Sequence, residues 1–243
     1  MAKIPKDPRD IFAEFTEDYK DLCGDDLISI ILYGSAVGPD YRPGKSDINF
    51  MIVLAENGID HLDRMFDVVK KWRKRNVTVP LFLTEEYVKT SLDVFPIEYM
   101  AFKRSYILVF GKDILKGLKP KQEYLRLQCE REVKGKLLLL REAFLSTSGK
   151  GKALKDVICQ SSRAFIAIFN ALMYLKGEEP FVGKRGLIKS ACEAFDLDKA
   201  LFEKLFDIKE EKLKPAGDEM RKIYLKYLTE VRKLSNLVDT LGE

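Results

Sequence analysis

The residues best suited to chemistry stand in one short segment of the chain, Ile28–Leu54. An apolar run ends in Gly34 and Ser35, and after eleven further residues Asp47 opens a second apolar run. A glycine lets the backbone turn sharply, and a phosphate group can approach it without a β-carbon in the way. Ser35 adds a hydroxyl group where the free N–H groups of a short helix would attract anions. The segment therefore predicts a turn that binds a polyphosphate.

The same segment predicts a site for a divalent metal ion. Asp47 stands at the head of the second apolar run, and Asn49 follows two residues later. Because side chains alternate along a strand, Asp47 and Asn49 should project from one face. Two carboxylates in this arrangement would clamp the ions that bridge triphosphate oxygens. The amide of Asn49 offers an oxygen but no charge, so the sequence predicts a weakened Mg²⁺ site.

The loop between the two runs carries further candidates for phosphate binding, namely Arg42, Lys45 and Ser46. Arg42 and Lys45 would lie near bound phosphates, but solvated loop charges are an equally good interpretation. A Gly-Ser pair with a later aspartate also occurs as a simple turn with a strand-capping residue. The flanking apolar runs, the loop length and the pair Ser46-Asp47 favour the binding interpretation.

Composition limits the class of protein. The chain has 243 residues, 46% of them hydrophobic, which is enough for one large core or two modest ones. Its 42 basic and 38 acidic residues leave a net charge of +4, which disfavours a dedicated nucleic-acid binder. The cysteines form no CxxC pair, the first residues lack the apolar core of a signal peptide, and no uninterrupted apolar run is long enough to cross a bilayer. We expect a cytoplasmic protein without a membrane or nucleic-acid partner.

The pattern of apolar residues predicts mixed structure up to about Gly117. A helix is expected over Ile59–Arg75, and Thr84 should cap a short helix. Pro80 should place its strand at the edge of a sheet or at a bulge. The expected strands are Ile28–Tyr33, Ile48–Leu54, Val77–Leu83, Ile97–Phe102 and Tyr106–Phe110.

Beyond Pro120 the pattern is purely helical. The expected helices cover Gln122–Leu145, a stretch from Leu154 to Leu175, shorter pieces within Leu187–Phe206, and Asp218–Leu241. The sequence thus predicts an α+β protein with an N-terminal domain over residues 1–118 and an all-helical bundle over residues 119–243.

Gly34-Ser35, the gap of eleven residues and Asp47-Ile48-Asn49 resemble the signature of the polymerase-β-type nucleotidyltransferase superfamily. The layout is most similar to that of aminoglycoside adenylyltransferase-like proteins, which add a helical bundle. Motifs carry the resemblance over the first 115 residues or so, and architecture carries it over the remainder. It implies a small mixed sheet backed by helices and transfer of a nucleoside monophosphate from an NTP to a hydroxyl, with two magnesium ions.

The chain departs from this family's pattern at two acids. The second acid of the motif falls on Asn49, and the strand expected to carry the third, Asn76–Leu81, has no carboxylate. Glu98 or Asp93 could replace it from the following strand. Glu98 would then be a catalytic acid; the alternative is a solvent-facing or ion-paired residue.

Two functions therefore stay open. The first is a Mg²⁺-dependent enzyme that transfers a nucleoside monophosphate from an NTP to a small hydroxylated molecule, with Asp47 and Asn49 at the metal. The second is a fold whose catalysis has lapsed and which binds a nucleotide or a partner. An RNA-associated role rests only on the modest positive charge. The sequence does not indicate the acceptor, the preferred base or the oligomeric state.

Overall fold

The first half of the chain is built around a four-stranded sheet. The computed structural model describes residues 3–39, 41–178 and 183–241, apart from the side chain of residue 163. The chain divides into two compact units, Met1–Pro120 and Lys121–Glu243. The first unit combines the sheet with helices and the second is helical, so the predicted α+β class is confirmed.

The strands of the first unit are β1 (Leu27–Tyr33), β2 (Asn49–Leu54), β3 (Leu81–Thr84) and β4 (Tyr106–Gly111). Its helices are α1 (Phe12–Cys23), α2 (Glu56–Ile59), α3 (Phe66–Arg73), α4 (Glu85–Thr90) and α5 (Pro96–Arg104). Thr84 caps α4 as predicted, since its hydroxyl accepts a hydrogen bond from the Tyr87 N–H at 3.1 Å.

The sheet is mixed, in the order β3-β2-β1-β4. β1 runs antiparallel to both β2 and β4, and β2 runs parallel to β3. Ile48, one residue before β2, forms an isolated parallel bridge with Val77, which precedes β3. β3 is an edge strand, as expected, but it covers only Leu81–Thr84, so the expected strand Val77–Leu83 is wrong over its first half. Pro80 lies directly before β3, where its missing N–H removes no bond from the strand.

The two faces of the sheet have separate cores. On one face, Ile52 of β2 packs in a cluster that includes Phe15 of α1 and Trp72 of α3. On the other, Met51 and Val53 pack with residues that include Leu115. Asn49 is the first residue of β2, and alternation along the strand places it on the same face as Met51 and Val53.

Two further predicted elements of this unit are wrong. Ile97–Phe102, expected to be a strand, lies in helix α5, because Pro96 occupies the start of a helix, where its missing N–H costs nothing. The expected helix Ile59–Arg75 is divided into α2, a 3₁₀ turn at Leu62–Met65 and α3. His61 interrupts it with the non-helical backbone angles φ −118° and ψ 41°.

The second unit contains α6 (Gln122–Ser146), α7 (Gly151–Leu175), α8 (Lys184–Ala194), α9 (Lys199–Lys209) and α10 (Gly217–Asp239). Within the described ranges, α7 is the one helix long and apolar enough, by length and composition, to cross a bilayer. α7 packs against α6, α8, α9 and α10.

Candidate functional site

The turn that follows β1 has the backbone that its sequence predicts. Gly34 has φ +79° and begins a 3₁₀ turn, Gly34–Val37. This conformation is open to glycine and unfavourable for residues with a β-carbon. Ser35 is exposed, whereas Ala36 is buried in the core. The core therefore holds the turn while leaving the Ser35 hydroxyl accessible.

Asn49 lies directly beside this turn. It pairs with Tyr33 across β1 and β2, one residue before Gly34. A β-carbon placed on Gly34 would lie 3.4 Å from Asn49 Nδ2. Asp47 is exposed and precedes the bridge formed by Ile48. The sheet thus brings Gly34 and Asn49 together at one end, with Asp47 two residues before Asn49.

Thr78 completes this group, and the sequence reasoning missed it. Its Oγ1 donates a hydrogen bond to Asn49 Oδ1 at 2.9 Å and lies 3.4 Å from the carbonyl oxygen of Ile48. Thr78 belongs to the segment where the resemblance places an acid. In the sequence, Thr78 was marked by its polar side chain directly after the apolar Val77. Its place next to Asn49 follows from the parallel bridge between Val77 and Ile48.

The loop before Asp47 is closed by its own hydrogen bonds. Ser46 Oγ accepts from the Arg42 N–H at 3.0 Å, and the Ser46 N–H donates to the Arg42 carbonyl at 2.8 Å. Asn76 Nδ2 donates to the Ser46 carbonyl at 2.8 Å. The Ser46 hydroxyl therefore shapes the loop, while the side chains of Arg42 and Lys45 are exposed.

Glu98 does not lie on a strand, as we expected, but in the first turn of α5, where it is exposed. Further along the same helix, the ring of Phe102 packs edge-on against the ring of Tyr33, with centroids 4.8 Å apart. Burial raises the pKa of Tyr33 above its usual value. Asp93 lies in the exposed turn before α5.

These residues do not fit the pair of magnesium ions that the resemblance implies. In the described parts of the chain, no group of three or more His, Cys, Asp or Glu side chains could hold a metal ion. Asp47 is the one carboxylate of the motif, and Asn49 Oδ1 accepts a hydrogen bond from the Thr78 hydroxyl. Mg²⁺ requires hard oxygen ligands in near-ideal octahedral geometry, which this set does not supply.

Comparison with known proteins supports the fold. No protein-family model and no curated protein sequence matches the chain. Its structure is similar to that of a spectinomycin adenyltransferase from Enterococcus, solved with ATP and spectinomycin. The TM-score is 0.50 at 13% sequence identity, and the match covers 94% of this chain and 99% of the other. The predicted adenylyltransferase-like layout is thus found in a solved structure, and at this identity the likeness concerns the fold.

Proposed function

We propose that this chain is a nucleotidyltransferase-like protein that binds the triphosphate of a nucleoside triphosphate at the Gly34–Ser35 turn. The observation that carries the proposal is the placement of Gly34, with φ +79° and no side chain, beside Asn49 at the end of the sheet. The fold supports it, because the similar adenyltransferase was solved with ATP.

The binding energy would come from donors and positive charges around the turn. The exposed hydroxyl of Ser35 and the nearby backbone N–H groups can donate to phosphate oxygens. Arg42 and Lys45 are exposed on the loop that leads from the turn to Asp47, and their charges attract an anion over a Debye length of about 10 Å at 0.1 M salt.

Transfer to a small molecule is the activity that the resemblance implies. An acceptor hydroxyl oxygen would form a bond to the α-phosphorus, the bond to the bridging oxygen would break, and pyrophosphate would leave. The hydroxyl proton would pass to a base, for which the exposed carboxylate of Asp47 is the candidate within the motif. The donor set does not fit two magnesium ions, so no step is assigned to them.

A lapsed enzyme that retains nucleotide or partner binding is the second candidate, and the hydrogen bond between Thr78 and Asn49 favours it. That bond holds Oδ1 toward Thr78, so the Nδ2 end of the amide, which cannot bind a metal ion, lies beside Gly34. The segment Asn76–Leu81 supplies no replacement acid. Nucleotide binding is common to both candidates and is the function that the geometry supports best.

Calorimetry with ATP, GTP, CTP and UTP tests the binding function, and a labelled-NMP transfer assay against hydroxylated acceptors tests turnover. The matched variants are Asp47→Asn and, as a control on α1, Asp21→Asn, which changes an exposed aspartate elsewhere. Transfer abolished by Asp47→Asn alone would establish the enzyme. Binding without transfer would establish the lapsed form, and absence of binding by every nucleotide would refute the proposal.

A further inference from the structure

The two ends of the Asn49 amide have different surroundings. Oδ1 accepts the hydrogen bond from Thr78 Oγ1 at 2.9 Å. Nδ2 lies on the side of the turn, 3.4 Å from where a β-carbon of Gly34 would be. The N–H₂ end of the amide, rather than its oxygen, therefore faces the proposed phosphate site.

Thr78 determines this orientation. Its hydroxyl has two neighbouring acceptors, Asn49 Oδ1 at 2.9 Å and the carbonyl oxygen of Ile48 at 3.4 Å. Neither atom can donate, so the Thr78 hydroxyl is the donor, and the shorter of its two contacts is the one to Oδ1. With the amide rotated, Nδ2 would donate to Thr78 Oγ1, and the hydroxyl proton would have only the longer, 3.4 Å contact to the carbonyl oxygen of Ile48. The observed orientation gives that proton the shorter bond.

Asn49 Nδ2 is left available to a ligand. Within the described part of the chain, no residue accepts a hydrogen bond from it. It is also not one of the fully buried polar atoms without a partner, so part of its surface is accessible. The side chain is half-buried, so this nitrogen reaches solvent. Gly34 leaves the space beside this nitrogen empty, since a β-carbon there would lie in van der Waals contact with it at 3.4 Å.

The chemistry of an amide N–H₂ group differs from that of a carboxylate. An N–H group donates to a phosphate oxygen directly, whereas a carboxylate at the same place repels phosphate unless a cation lies between them. Arg42 and Lys45, both exposed on the adjoining loop, add positive charge of the kind a metal would otherwise supply.

We propose that Asn49 donates a hydrogen bond from Nδ2 to a phosphate group of the nucleotide, that Thr78 is its positioning residue, and that the polyphosphate binds without a bridging magnesium ion. This inference rests on the proposed nucleotide binding and specifies its ligand as the metal-free polyphosphate.

Titration calorimetry of the full chain with ATP and with inorganic tripolyphosphate, in MgCl₂ and in EDTA, tests the inference. The wild-type affinity should differ by less than about threefold between the two conditions, a smaller change than the loss of one hydrogen bond to a charged group. Asn49→Asp should weaken binding in EDTA by about tenfold or more, and Mg²⁺ should restore it. Asn57→Asp adds the same charge at the exposed helix α2, beyond the other end of β2, and should leave both affinities unchanged.

Two variants of Thr78 test the positioning role. Thr78→Val removes the hydroxyl with little change in shape, so the amide can rotate and present its oxygen to the turn. We expect weaker tripolyphosphate binding in EDTA and a larger gain on adding Mg²⁺. Thr78→Ser keeps the donor and should behave like the wild type. A purely structural role would lower the free energy of unfolding without changing the ratio of the two affinities.

The possible outcomes separate this inference from the proposed function. Wild-type ATP binding that requires Mg²⁺ would overturn the inference and leave nucleotide binding intact. An affinity ratio unaffected by Thr78→Val would overturn the positioning role. Absence of binding to both ATP and tripolyphosphate, with and without Mg²⁺, would overturn the inference and the proposed function together.

Discussion

Tyr33 and Asn49 face each other across the antiparallel pair of β1 and β2. Because the turn begins at the next residue, one ladder of hydrogen bonds fixes both the start of the turn at Gly34 and the position of Asn49 beside it. A slip of one residue in this register would direct Asn49 into the opposite core. The arrangement of the candidate site is therefore a property of the sheet.

Replacing Gly34 should weaken nucleotide binding. Gly34→Ala forces a β-carbon into a backbone with φ +79° and places a methyl group 3.4 Å from Asn49 Nδ2, on the side where a phosphate would bind. We expect a loss of about 1–2 kcal/mol in the free energy of unfolding and weaker binding of ATP, measured by urea denaturation and calorimetry. Gly38→Ala is the control in the same loop, since a β-carbon there meets nothing within 4 Å and φ is −121°. Equal effects of both variants would contradict this expectation.

Gly111, at the end of β4, should tolerate no side chain. A β-carbon there would lie 2.0 Å from the carbonyl oxygen of Ile28, and φ is +77°. Gly111→Ala should lower the free energy of unfolding by roughly 3 kcal/mol or more, as expected for a backbone clash in a sheet. Gly117→Ala, where a β-carbon meets nothing within 4 Å, should have little effect. Thermal unfolding followed by circular dichroism distinguishes the two variants.

Asp18 joins α1 to α3. Its Oδ2 accepts hydrogen bonds from Trp72 Nε1 at 2.8 Å and from Lys71 Nζ at 2.7 Å. Asp18→Ala leaves the indole N–H of a buried tryptophan without this acceptor, so we expect a loss of about 1–3 kcal/mol. Trp72 is the sole tryptophan of the sequence, so its fluorescence reports unfolding of this unit in denaturant. Asp21→Ala, at an exposed position of α1, should change stability little; a similar loss would exclude the hydrogen bonds as the cause.

Glu210, at the end of α9, should contribute to acid sensitivity. Hydrogen bonds from Lys212 and Arg185 lower its pKa to about 2. Because the folded state stabilises the ionised carboxylate, this contribution to stability is present above the pKa of about 4.3 that glutamate has in the unfolded chain. It is lost as the pH falls toward 2. Glu210→Gln should therefore reduce the decrease in stability between pH 5 and pH 2, and added salt should have a similar effect.

The matched control for Glu210 is Glu203→Gln, an exposed position on the same helix. Equilibrium unfolding at several pH values measures both variants. If Glu210→Gln loses as much stability between pH 5 and pH 2 as the wild type, solvent screening cancels the contribution of these ion pairs.

Strands β1, β2 and β4 could be located from the sequence because each is a run of apolar residues bounded by glycine or polar residues. The error at Ile97–Phe102 has the same origin, since a short apolar run fits either element. Pro96 was the available signal, because proline is favoured in the first helical turn.

The proximity of Gly34 and Asn49 could be predicted because the glycine follows one apolar run and Asn49 stands at the head of the next, and consecutive strands usually lie side by side. The direction of the Asn49 amide could not, because it depends on Thr78, which lies 29 residues away in sequence. Likewise, the bond from the Arg42 N–H to Ser46 depends on how the loop closes, which no local pattern specifies.

β1 is bonded to a neighbouring strand on each side, with registers that extend from Ser29 to Tyr33 on both. Its amide protons should exchange with deuterated solvent only when the whole unit opens. A ligand arriving at Gly34 would then meet a surface that is already rigid before it binds, and it would spend little of its affinity on ordering the protein.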